Sequence, residues 1–156
     1  MEGPPALDAT RAISDLIHRV AILSKRARVH LESEHLGPAE EALHAAWILL
    51  KPFVRMEAEQ NGVRMAHAGW KMVRARLLAA QGQHREAIAL CREAVACFRW
   101  RLEEHGYQPH YAARNLAGGL DFLATLEDRA GLSAESKSSS DEAQNLRRAY
   151  QIPASP

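Results

Sequence analysis

Leu77-Leu78-Ala79-Ala80-Gln81-Gly82-Gln83-His84-Arg85-Glu86-Ala87-Ile88 decides the fold. Leu and Ala before the glycine favour helix, and Gly82 supplies the left-handed conformation that ends one. Glu86 falls in the first turn of the next helix, where the helix dipole favours a negative charge. Ala87 is small enough to let that helix press closely on the first. The pattern recurs upstream as Gly37-Pro38-Ala39-Glu40-Glu41-Ala42-Leu43 and more weakly downstream as Gly131-Leu132-Ser133-Ala134-Glu135-Ser136-Lys137. The glycines are 45 and 49 residues apart, a period that suits a repeating helical hairpin.

Composition points the same way. The 156 residues include 28 Ala and 18 Leu against 6 Val, 6 Ile and 2 Thr, the reverse of what strands want. An all-α chain of about one domain is expected. Apolar residues recur at helical spacing as Ile13, Leu16, Ile17, Val20, Leu23, Ala27 and Leu31. The run ends at Gly37, and Pro38 opens a second helix. Pro52 should kink or break that helix. Asn61-Gly62 reads as a turn, and a third helix runs through Trp70 and Leu77 to Gly82. The fourth stops near Gly106, and the fifth begins at Pro109 and closes at Gly131. Ser133 to Asp141 reads as a loop or an eroded helix start, with Ser140 or Asp141 capping a short helix through Tyr150. Residues 1–6 form a leader and 151–156 a tail around one domain, 7–150, in units of about 7–60, 63–106 and 109–150.

The segment from Leu77 to Ile88, continued by Cys91, Ala94 and Val95, resembles the tetratricopeptide repeat family. Trp70 lies close to that family's first-helix aromatic. Pro109 and Leu120 to Gly131 look like the longer-helix variant found in bacterial regulators and similar to kinesin-light-chain repeats. The resemblance covers roughly residues 21–150. It implies a right-handed stack of three helical hairpins, a TPR-like α-solenoid whose first helices line a concave groove. Carrying the groove positions over from the matched glycines gives Ala27, Leu31 and Glu34, then Met72, Arg76 and Ala79, then Asp121, Thr125 and Asp128. The carboxylate clamp of chaperone-binding members is largely missing, because Ala27, Leu31 and Asp121 stand where Lys, Asn or Arg would be.

Charge and motif restrict function further. Basic side chains number 20 and acidic ones 19, a net charge of +1, which argues against a dedicated nucleic-acid binder. No apolar run approaches the roughly 20 residues of a membrane span, and the N-terminus lacks signal-peptide character, so a cytoplasmic location is expected. Cys91 and Cys97 are six residues apart on one helix, too far along its axis for a disulfide. The eight histidines include no metal-binding pair, although His30, Glu34, His35 and His44 could converge. No phosphate loop or nucleophile motif occurs, so no catalytic residue and no cofactor are expected. Gly118-Gly119 reads as close helix packing or as a bare patch for a ligand. Residues 66–110 carry a balance of +3, which suits a solvated face or an acidic partner. These features favour a noncatalytic protein-interaction scaffold. The alternative is a regulatory sensor of a small molecule or signalling peptide that acts on a partner enzyme or transcription factor. Phe122, Leu126, Leu132, Leu146, Tyr150 and Ile152 form a candidate apolar patch for homodimerisation through the C-terminal hairpin.

Overall fold

The computed structural model describes residues 5–105 and 108–154. It is all-α among them: α1 (Pro5–Glu32), α2 (Leu36–Leu50), a 3-10 segment (Lys51–Met56), α3 (Asn61–Ala80), α4 (His84–His105), α5 (Pro109–Arg129) and α6 (Ser133–Tyr150). The chain divides into two compact units, Met1–Val73 and Arg74–Pro156, with the boundary inside α3. Among the described residues no helix is long and apolar enough to cross a membrane.

Three helix ends close in one way. Glu34, Gly82 and Gly131 have φ of 59°, 81° and 77°. The next amide in each case reaches back five residues: His35 N donates to His30 O, Gln83 N to Leu78 O and Leu132 N to Glu127 O, each at 2.8 Å. The left-handed residue itself bonds one turn back, to Leu31 O, Ala79 O and Asp128 O respectively. This is the Schellman helix end, and it satisfies carbonyls that the helix leaves without partners. Glu34, not Gly37, is therefore the first turn's left-handed residue. Gly37 lies inside the first turn of α2, which begins at Leu36. The turns are spaced by 48 and 49 residues. In that corrected register Val20, Ala68 and Ala117 coincide, as do Ala27, Ala75 and Ala124, and Ala46, Ala94 and Ala143. All nine are buried.

Other boundaries also differ from expectation. Helix α1 already includes Pro5 and Ala6, which the sequence reading gave to a leader. Gly106 lies outside the described residues. Pro52 does end α2, but the chain tightens into the 3-10 segment with proline in its first turn, where its missing N–H is tolerated. Asn61-Gly62 opens α3 instead of forming a turn. A Cβ at Gly62 would stand 2.5 Å from Ile17 Cδ1, so a residue without one lets α3 begin against α1. The serine-rich stretch 133–141 is helical from Ser133. Ser136 Oγ donates to Ala124 O at 2.9 Å and Ser139 Oγ to Glu127 Oε2 at 2.8 Å. These bonds give the hydroxyls partners on α5, and so remove their competition with their own helix backbone.

In the first unit α1 packs on α2. Leu16, Val20, Ala46, Leu50 and Val63 form its centre, with Ile13, Leu23, Trp47, Phe53 and Trp70 against them. In the second unit α5 packs on both α4 and α6, and contributes Ala113, Leu116, Leu120, Leu123 and Leu126 to the buried set. Leu126 is fully buried and Phe122, Leu132, Leu146, Tyr150 and Ile152 are all half-buried. None of the six side chains expected in an exposed patch on the C-terminal hairpin is itself exposed. At the end of α6, Ile152 N donates to Arg147 O, and the His110 ring meets Tyr150 edge-on at 5.8 Å.

Candidate functional site

The expected groove residues separate into buried, paired and open positions. Ala27 is fully buried and Met72 nearly so. They are core side chains and cannot line an open groove. Leu31 and Ala79 are half-buried, and Glu34 is exposed at the turn instead of on a helix face. At the 48-residue spacing the counterparts of Met72, Arg76 and Ala79 on α1 are Ser24, Arg28 and Leu31. Thr125 and Asp128 are exposed, and the Thr125 hydroxyl donates to the Asp121 carbonyl one turn back at 3.0 Å.

Within the second unit, the C-terminal part of α3 meets α5. The Arg76 guanidinium carbon lies 4.4 Å from the centroid of the Phe122 ring, and both side chains are half-buried. This is cation–π geometry, which strengthens as water is withdrawn. Next to Phe122, Asp121 is held by Arg147 of α6, with Nη1 on Oδ1 at 3.1 Å and Nη2 on Oδ2. That bond and the carboxylate charge raise the Arg147 pKa above its ordinary value, against the opposing effect of burial. Asp121 is thereby occupied, and its charge is offset within the molecule.

Behind this face lies a polar seam that sequence spacing did not reveal. Glu127 of α5 is 2% exposed. Its Oε1 accepts from Arg92 Nε at 3.3 Å and Nη2 at 3.0 Å, and its Oε2 accepts from Ser139. Arg99 forks onto Glu142 with two bonds of 2.9 Å, and that hydrogen bonding raises the Arg99 pKa. Cys91 sits beside the seam. Its thiol donates to Gly119 O at 3.8 Å, so Gly119 belongs to a close α4–α5 approach. Burial pushes the thiol from 9.0 to about 12, which makes it a poor nucleophile. Neither Cys91 nor Cys97 forms a disulfide. His30 and His35 have ring centroids 6.3 Å apart. Among the described residues no group of three or more His, Cys, Asp or Glu is placed to hold a metal ion.

The first unit carries an aromatic cluster. Trp47 and Trp70 stack at 4.8 Å, and Trp70 Nε1 donates to Leu43 O at 2.9 Å. His67 Nδ1 lies 2.7 Å from Glu57 Oε2, with its ring tilted against both indoles. The stacked indoles leave no gap between them for a ligand.

Comparison with known proteins gives no matching family, curated relative or solved structure. The functional reading therefore rests on this chain's own side chains.

Proposed function

We propose that the protein is a noncatalytic interaction scaffold of TPR-like hairpins. In this reading the face bearing Arg76 and Phe122 takes a protein or peptide segment with acidic character. The observation that carries the reading is the Arg76–Phe122 contact itself. It joins α3 and α5, the first helices of the second and third hairpins, at positions where a helical-repeat array presents its groove. Phe122 offers a flat apolar surface. Arg76 rests its guanidinium on that ring and keeps its positive charge at any physiological pH, which suits an acidic segment. The Arg147 bond to Asp121 offsets the one carboxylate adjacent to Phe122, which keeps the face receptive to negative charge. The recurring Schellman turn and the coincidence of buried alanines across three hairpins support the stack on which the reading depends.

The test is quantitative capture of partners by the purified wild type and by Arg76→Ala. An arginine in a desolvated interface centre contributes about 2 kcal/mol or more, so at least about tenfold weaker capture of specific partners is expected. Equal capture by a variant with unchanged helical circular dichroism would refute the assignment.

A further inference from the structure

The second half of α1 carries a feature that its packing does not use. Residues 16–31 contain Arg19, Lys25, Arg26 and Arg28 and no carboxylate. Val20 and Ala27 are fully buried on the α2 side. Ile22 and Val29 each follow one of them by two positions, a rotation of about 200°, and so lie on the opposite face. They are 53% and 50% exposed. Seven residues separate them, about 10 Å along the axis. Lys25 and Arg26 stand between them on the same side, both exposed, and His18 and Arg19 extend the stripe by one turn. Arg28 is drawn toward Glu32 at 3.6 Å, and Asp15 lies at the far end of the stripe.

A single exposed aliphatic residue is ordinary. Two on one helix face at i and i+7, with cations at i+3 and i+4, set aliphatic and basic groups along a single exposed stripe. We infer that this outer face of α1 docks an acidic amphipathic helix of a partner protein. The partner would set aliphatic side chains against Ile22 and Val29, and carboxylates against Lys25, Arg26 and Arg19. Charge complementarity selects that occupant. A second copy of α1 would bring the same cations against themselves, because a twofold interface is self-complementary. An anionic bilayer would need a broad apolar face, and the broad apolar face of α1 is already buried in the first unit. The proposal uses neither Arg76 nor Phe122, and its own variants lie on α1 alone.

The test uses a Glu-rich amphipathic peptide of about 18 residues, long enough to hold helix, with leucines seven apart. Its counterpart has every Glu replaced by Lys. Wild-type protein is expected to bind the acidic peptide at least about tenfold tighter than the basic one, and less tightly as salt rises. The double variant Lys25→Glu with Arg26→Glu should reverse the preference. Ile22→Ser with Val29→Ser should weaken acidic-peptide binding about tenfold. All four α1 side chains are exposed, so the variants should keep the wild-type circular dichroism. The inference is overturned if wild type shows no preference, or if either α1 variant binds as wild type does. It is also overturned if wild type ignores the peptide but floats with phosphatidylserine vesicles.

Discussion

In the first unit, α3 is tied to α2 by stacked indoles and one indole N–H bond to Leu43. In the second, α6 is tied to α5 by Arg147 on Asp121 and Ser139 on Glu127, and to α4 by Arg99 on Glu142. The difference follows from composition. Helix α2 brings Leu43, Ala46, Trp47 and Leu50 to its partners, whereas the buried residues of α6 are Ser139 and Ala143. A helix with so little apolar surface must be located by directional bonds. Those bonds resist slippage, since a bidentate arginine accepts one geometry. They are also more sensitive to salt and to single substitutions than an apolar contact is.

The largest expected difference between the units comes from the first unit's centre. Leu50→Ala should lower the unfolding free energy by about 3–5 kcal/mol through lost burial and the cavity left behind. Denaturant melts at low and high salt should give the same loss.

Alkaline pH probes the second unit. Below pH 9 the Cys91 thiol is protonated in both folded and unfolded chains and contributes no pH dependence. Between 9 and about 12 the unfolded chain ionises while the folded thiol keeps its proton, so stability falls as pH rises. At about 1.4 kcal/mol per unit the loss reaches at most about 4 kcal/mol. Cys91→Ala should flatten that part of the stability–pH curve. The buried thiol of the native wild type should also resist iodoacetamide at pH 8 and react once the chain is denatured.

Glu127→Ala removes the acceptor shared by Arg92 and Ser139. Hydrogen bonds to a charged group contribute about 1.5–3 kcal/mol. A loss near the middle of that range is expected, concentrated in the second unit and read by hydrogen exchange along α6. Arg92 is half-exposed, so added salt should reduce the loss, unlike that of Leu50→Ala.

These contrasts also mark what the sequence could convey. Gly82 and Gly131 announce their turns because glycine adopts positive φ without strain. Glu34 adopts the same conformation with a side chain attached, and Gly37-Pro38 three residues later imitates the motif. The resulting shift put Ala27 where an exposed residue was expected and hid Arg28 as the counterpart of Arg76. The serines of α6 look like a loop because their partners, Ala124 and Glu127, lie on another helix. The arginine–carboxylate bonds join residues 26 to 43 positions apart, beyond any helical periodicity. Charge summed over residues 1–65 is −1, which masked the cation stripe of α1. The apolar run of α1 did mark Leu16 and Val20, both buried, because 3.6-residue periodicity reports burial directly. A smaller prediction follows from Glu34. Glu34→Gly should raise stability by about 0.5–1 kcal/mol by relieving the left-handed strain, whereas Gly37→Ala, inside α2, should be neutral or mildly stabilising.

The central claim is that Arg76 and Phe122 act as one binding surface. It is tested most directly by a double-mutant cycle on a captured partner, measuring its affinity for wild type, Arg76→Ala, Phe122→Ala and the pair. A shared surface predicts at least about tenfold weakening in each single variant and little further loss in the double. Unchanged affinity in the singles, or losses that simply add, would contradict it.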